Sequence, residues 1–162
     1  MHTDLEVSKI EKEIHNQLPK EYRDFFLKCR FPVEFDNMIQ IRVDPSIPGA
    51  GGGWLPFGDF YSLKNDSNYN ILENVNCYSG RIPENLLPIA DSPGGNQLCI
   101  GVRGSEKGKV YYWDHDYESE DDIYFLANSF TEFIDLLEID DSLPNEDDVQ
   151  ADIWLADDLL PP

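Results

Sequence analysis

Residues Leu86–Asp114 read LLPIADSPGGNQLCIGVRGSEKGKVYYWD, and this stretch decides the fold class. Leu86–Ala90 is a short apolar run. Asp91–Asn96 gathers turn formers: Pro93 fixes φ, while Gly94 and Gly95 permit positive φ. Leu98, Ile100 and Val102 then alternate with Gln97, Cys99 and Gly101, the period of two of a half-buried strand. Arg103–Lys109 is polar, carries Gly104 and Gly108, and makes a second reversal. Val110–Trp113 is β-branched and aromatic, which suits a packed, pleated surface. Antiparallel strands with an apolar face are not stable alone in water, so the rest of the chain must cover them.

Upstream, Thr3 and Glu6 have capping-box spacing. Ile10, Ile14 and Leu18 follow on one helical face until Pro19 ends the helix. Tyr22, Phe25, Phe26 and Cys29 repeat at helical spacing and read as a core face rather than a ligand groove. Met38–Val43 alternates as a strand. Gly49–Gly53 is glycine-rich but is followed by Trp54-Leu55-Pro56. It lacks the Lys and Ser/Thr of a phosphate loop and reads as a surface loop. Trp54–Leu63 has the character of a bent hairpin. Asn65–Asn68 is a capping cluster for a helix over Tyr69–Tyr78, with Leu72, Val75 and Tyr78 on its apolar side and Ser79-Gly80 as the stop.

Downstream, Asp114–Asp122 holds six acids, and Ile123, Phe125 and Leu126 return the chain to the core. Ser129 caps a helix that carries Phe130, Phe133, Ile134 and Leu137 at i, i+3, i+4 and i+7. These elements predict an α+β domain over residues 1–139. Its mostly antiparallel sheet has five or six strands, covered by the N-terminal helices and the late helix. Residues 140–162 form an acidic extension, in which Asn145 caps a final helix with Val149, Ile153 and Leu160 on one side. That side either packs on the domain or is held for a partner.

The formal net charge is −20, from 32 acidic and 12 basic residues. Residues 114–162 hold 17 of the acids and no Lys or Arg. Such a field repels nucleic acid and anionic lipid and speeds encounter with a basic partner. No apolar run approaches the ~20 residues of a membrane span. The first residues, MHTDLEVSK, lack a signal-peptide pattern. Cys29, Cys77 and Cys99 are an odd, widely spaced set with no CxxC, so the reading is a protein of a reducing cytoplasm with free thiols.

Little here points to catalysis. His115 lies between Asp114 and Asp116, but alternation along an extended segment sends neighbouring side chains to opposite faces. These three are therefore expected to diverge and to form a charged turn rather than a metal or acid–base site. Ser92 lacks the G-x-S-x-G elbow. Cys99 has no cationic neighbour in sequence to lower a thiol pKa, and Cys29, although between Lys28 and Arg30, falls on the aromatic stripe read as core. The acidic runs lack the D-x-[DN]-x-[DN]-G pattern of a calcium loop. No enzyme activity, cofactor or metal is expected.

Pro88-Ile89-Ala90-Asp91-x-x-Gly94-Gly95-Asn96, an apolar strand, and then Gly108-Lys109-Val110-Tyr111-x-Trp113-Asp114-His115 resemble the SUKH superfamily. This homology group includes fungal cell-wall regulators and many bacterial immunity proteins. Leu18-Pro19-x-x-Tyr22-x-x-Phe25-Phe26 and Ala127-Asn128-Ser129-Phe130-x-x-Phe133 agree, so the resemblance covers Ile10 to Leu137. The family's Asn-Gly-Gly after the second helix is replaced by Cys29-Arg30-Phe31. The resemblance implies an α+β fold and a non-enzymatic binding protein, one that sequesters a toxin of the nuclease type. The fungal branch implies a regulatory scaffold as the alternative. Charge adds that the partner is basic. Asp114, Asp116, Glu118, Glu120, Asp121 and Asp122 are the first candidates for the binding surface, because they leave a rigid hairpin. Asp140, Asp141, Glu146, Asp147 and Asp148 come second.

Overall fold

The computed structural model describes residues 2–29, 33, 35, 37–63, 67–116 and 122–142. Helix α1 (Asp4–Glu13) begins at Thr3, which accepts the Glu6 N–H while the Glu6 carboxylate accepts the Thr3 N–H. Two donors that the helix leaves unpaired are thus satisfied together. The helix ends earlier than the apolar repeat predicts: Ile14 is its C-cap and His15 takes a positive φ. Leu18 is buried from the connecting turn instead, with its N–H held by the Glu11 carboxylate. Helix α2 (Lys20–Lys28) follows Pro19. Its aromatic stripe is core, as expected: Tyr22 stacks edge-on against Phe130 at 5.2 Å, and Phe25 lies 5.0 Å from Phe60.

Strands β1 (Ile39–Arg42) and β2 (Trp54–Phe57) pair antiparallel across the glycine loop, in register Ile41↔Leu55. Trp54–Leu63 does not fold back on itself as a hairpin. After β2 the chain crosses to a second sheet through Gly58–Tyr61, bonded along that sheet's first strand. Helix α3 (Ile71–Cys77) is capped by Asn70, two residues beyond the expected cluster, whose side chain accepts the Leu72 and Glu73 N–H groups.

The decisive stretch gives β3 (Leu86–Ser92), β4 (Asn96–Gly101) and β5 (Val110–Trp113), and β6 (Ile123–Ala127) completes an antiparallel sheet in the order β3-β4-β5-β6. Ser129 caps α4 (Phe130–Asp135) through the Glu132 N–H. Leu137 does not extend that helix. It opens β7 (Leu137–Ile139), which pairs with β1 and makes a second sheet in the order β2-β1-β7. The class is α+β, but the seven strands of the described residues divide between two sheets rather than forming one.

The four-stranded sheet is covered on both faces. Leu87, Ile89, Leu98, Ile100, Val110 and Tyr112 face the main core with α1, α2 and α4. Leu86, Cys99, Tyr111 and Trp113 face a smaller cluster closed by Ile82 and Tyr78. Strand β4 is therefore buried almost throughout, Gln97 and Cys99 included. Phe125 is a correction to the expected core return: Tyr124 and Leu126 point into the main core, so alternation turns Phe125 outward, 50% exposed. Arg30 and Phe31, the Asn65–Asp66 part of the expected cap, and the expected helix from Asn145 lie outside the described residues.

Candidate partner-binding face

The acidic connection between β5 and β6 is rooted on Trp113. The indole is 2% exposed, and its Nε1–H donates to Asp122 Oδ2 at 2.8 Å. The Asp114 N–H donates to the Asp122 carbonyl at 2.9 Å, so the ends of the connection are held together. Tyr78 meets the indole edge-on at 5.4 Å, and the Arg81 guanidinium lies 5.0 Å from its ring centroid. An aromatic face attracts a cation placed there. Arg81 also reaches the His115 carbonyl at 3.4 Å.

His115 ties this connection to the β3–β4 turn. Its N–H donates to Asn96 Oδ1 at 3.0 Å, and its ring Nδ1 lies 3.0 Å from the same oxygen. Asn96 Oδ1 thus receives both the backbone N–H and ring Nδ1, while Nε2 lies 3.1 Å from Asp116 Oδ1. The ring packs over Gly95, where an added Cβ would lie 3.3 Å from the imidazole and the positive φ of 89° disfavours any side chain.

The expected divergence of Asp114, His115 and Asp116 is corrected by this geometry. The segment turns rather than extends, and ligand-type atoms of the three residues lie within 4.8 Å of one another. Hydrogen bonds already engage the group: Asp114 Oδ1 accepts the Asp116 N–H, and Nδ1 serves Asn96.

The candidate charges have different roles. Asp114 is buried and holds the turn, so it presents no surface charge. Asp116 is exposed. Asp122 is half-buried and serves the indole. Asp140 and Asp141 lie beyond β7, next to the other sheet, where Asp140 extends the β1–β7 pairing through its N–H to Met38 and accepts the Ser142 N–H. Glu118, Glu120, Asp121, Glu146, Asp147 and Asp148 lie outside the described residues.

Beside this hub is a feature the sequence reading did not single out: a cavity of about 550 Å³ between α3, β3 and the β3–β4 turn. Tyr61, Tyr69, Glu73, Tyr78, Asp91 and Gln97 are among its walls. Gln97 orders the floor: its Oε1 accepts the Tyr61 hydroxyl, and its Nε2 donates to Tyr78 at 3.0 Å and to the Gly95 carbonyl at 3.3 Å. Asp91 Oδ1 accepts the Asp59 N–H at 2.6 Å. The carboxylate sits so close to Gly58 that a Cβ there would lie 2.3 Å from Oδ1, so a side chain at the crossover would displace the carboxylate. Burial pushes the Asp91 carboxyl above its ordinary range, and the Asp59 hydrogen bond offsets part of that. The available signal was the Asp91-x-x-Gly94-Gly95-Asn96 motif, of which Asp91, Gly94 and Gly95 line the cavity and Asn96 holds His115 beside it.

The nucleophile candidates are otherwise engaged. Ser92 donates its hydroxyl to the Pro56 carbonyl at 2.6 Å. Burial pushes the Cys99 and Cys29 thiols up, away from the reactive thiolate. All three cysteines are free. Among the described residues no helix is long and apolar enough to cross a membrane.

The pattern of the SMI1 / KNR4 family (SUKH-1) matches residues 2–136. The SPbeta prophage-derived uncharacterized protein YokK of Bacillus subtilis (strain 168) is 35% identical over 174 aligned residues, covering 99% of this chain and 88% of that protein.

Proposed function

We propose, because the chain belongs to the SMI1 / KNR4 family (SUKH-1), that it is an immunity protein that neutralises a toxin by binding it, without turnover. The toxin is basic and of the nuclease type, and the meeting takes place in the cytoplasm. The observation that carries the electrostatic part is the acidic connection fastened at both ends to a buried tryptophan. A cleft built to hold phosphates attracts such a run of acidic residues, and pinned ends lessen the ordering cost of binding. The asymmetry of the chain supports the same reading, with 17 acids and no Lys or Arg from residue 114 onward.

Co-expression with a nuclease-type toxin domain encoded beside it tests the proposal. Cells making both proteins should grow, and the two should co-purify. Growth arrest at matched expression, or a catalytic product from the pure protein that His115→Ala abolishes, would sink it.

A further inference from the structure

The cavity beside the acidic connection is lined, among the described residues, by acidic and aromatic side chains. Asp91 is half-buried in its wall, Glu73 stands exposed at its rim, and three tyrosines contribute to it. Among the described residues, no lysine or arginine lines the cavity and no cation bears on the Asp91 carboxyl. Elsewhere several cations pair with nearby acids, as Arg103 does with Glu84 and Lys20 with Asp24. A carboxylate drawn out of water without a counter-charge costs free energy that an incoming cation would recover. The floor is already ordered, since Tyr61, Gln97 and Tyr78 form one hydrogen-bonded chain. The cavity also adjoins the acidic hub, because Gly95 lies both in its wall and beneath the His115 ring.

We propose that this cavity is a socket for an arginine side chain of the basic partner, with its guanidinium received between Asp91 and Glu73 and laid against the tyrosine rings. Arginine fits better than lysine: a flat guanidinium stacks on aromatic faces and bonds to carboxylates from a rigid fork. The identity of the partner rests on the immunity reading; the socket itself does not. The acidic connection sets the encounter, and the socket holds the bound state by slowing dissociation.

The test uses the full chain, labelled with nitrogen-15, titrated with Nα-acetyl-arginine amide and in parallel with Nα-acetyl-citrulline amide, its neutral isostere. The arginine compound should give saturable shifts at Asn74, Gly94, Gly95 and the Gln97 side chain, and the citrulline compound should not. Asp91→Asn keeps an acceptor for the Asp59 N–H and should weaken binding about tenfold or more, as expected for losing a charged hydrogen bond. Glu73→Gln, on the exposed rim, should weaken it about threefold. Should Asp91→Asn fail to fold, Glu73→Gln decides alone. Equal shifts from both compounds, shifts confined to residues 114–122, or unchanged affinity in a folded variant would overturn the socket. A chain that binds the arginine amide but no toxin domain would keep the socket and lose the immunity reading.

Discussion

Trp113 joins the core to the candidate surface through one ring. Its faces meet Tyr78 and Arg81, and its N–H holds Asp122. Trp113→Ala should cost ~3–5 kcal/mol in urea unfolding, the range for a large buried aromatic. A loss below about 1 kcal/mol would place the ring outside the core. Asp91 makes a prediction with a definite sign. Its carboxyl is raised by burial in the folded protein, so the folded state holds its proton to higher pH than the unfolded chain does. Stability from this group is present at low pH and is lost as pH rises from the ordinary aspartate range through the raised value. The unfolding free energy of Asp91→Asn minus that of the wild type should therefore grow with pH across that window and then level off. A difference that shrinks with pH would mean that Asp91 is stabilised as a carboxylate. The cysteines sort by exposure: Cys77 is exposed, Cys29 is intermediate and Cys99 is buried. A thiol reagent should modify Cys77 first in the native protein, leave Cys99 until unfolding, and count three thiols in denaturant without reductant. A count of one would mean a disulfide.

Elements with local signals were legible. The Thr3–Glu6 box and the Ser129 cap are written in adjacent residues, and both form. Ser129→Ala should destabilise the domain by about 1 kcal/mol, the usual effect of losing a cap, measured by chemical denaturation. No change would mean that α4 is held by Phe130 and Phe133 alone. The strands of Leu86–Trp113 were legible because alternation and turn residues agree there. Leu137 was not, since its i+7 spacing from Phe130 continues the helical stripe, and a three-residue strand is too short to show a period. The convergence of Asp114, His115 and Asp116 was missed because the turn depends on Asn96, 19 residues away in sequence, which holds His115. The cavity was missed for the same reason, since Tyr61 and Gln97 meet across 36 residues.

At the scale of the molecule, sequence shows class and charge more readily than arrangement. Seven short antiparallel strands fit one sheet or two, and the choice lies in the long-range pairing of β7 with β1 and in the crossover at Gly58–Tyr61. The charge is a whole-chain property, and its proposed use is in steering. Surface charges are screened beyond ~8 Å at physiological ionic strength, so steering must weaken with salt. The most direct measurement is the association rate with a basic nuclease-type toxin domain at low and high salt. It should compare the wild type with a variant carrying Asp116→Asn, Glu118→Gln, Glu120→Gln and Asp121→Asn. Asp114 and Asp122 are kept because they hold the hub. The wild type should associate faster at low salt, and the variant should be slower and nearly independent of salt, with its melting temperature at or above the wild-type value. Equal, salt-independent association rates for the two proteins would contradict recognition through the acidic connection.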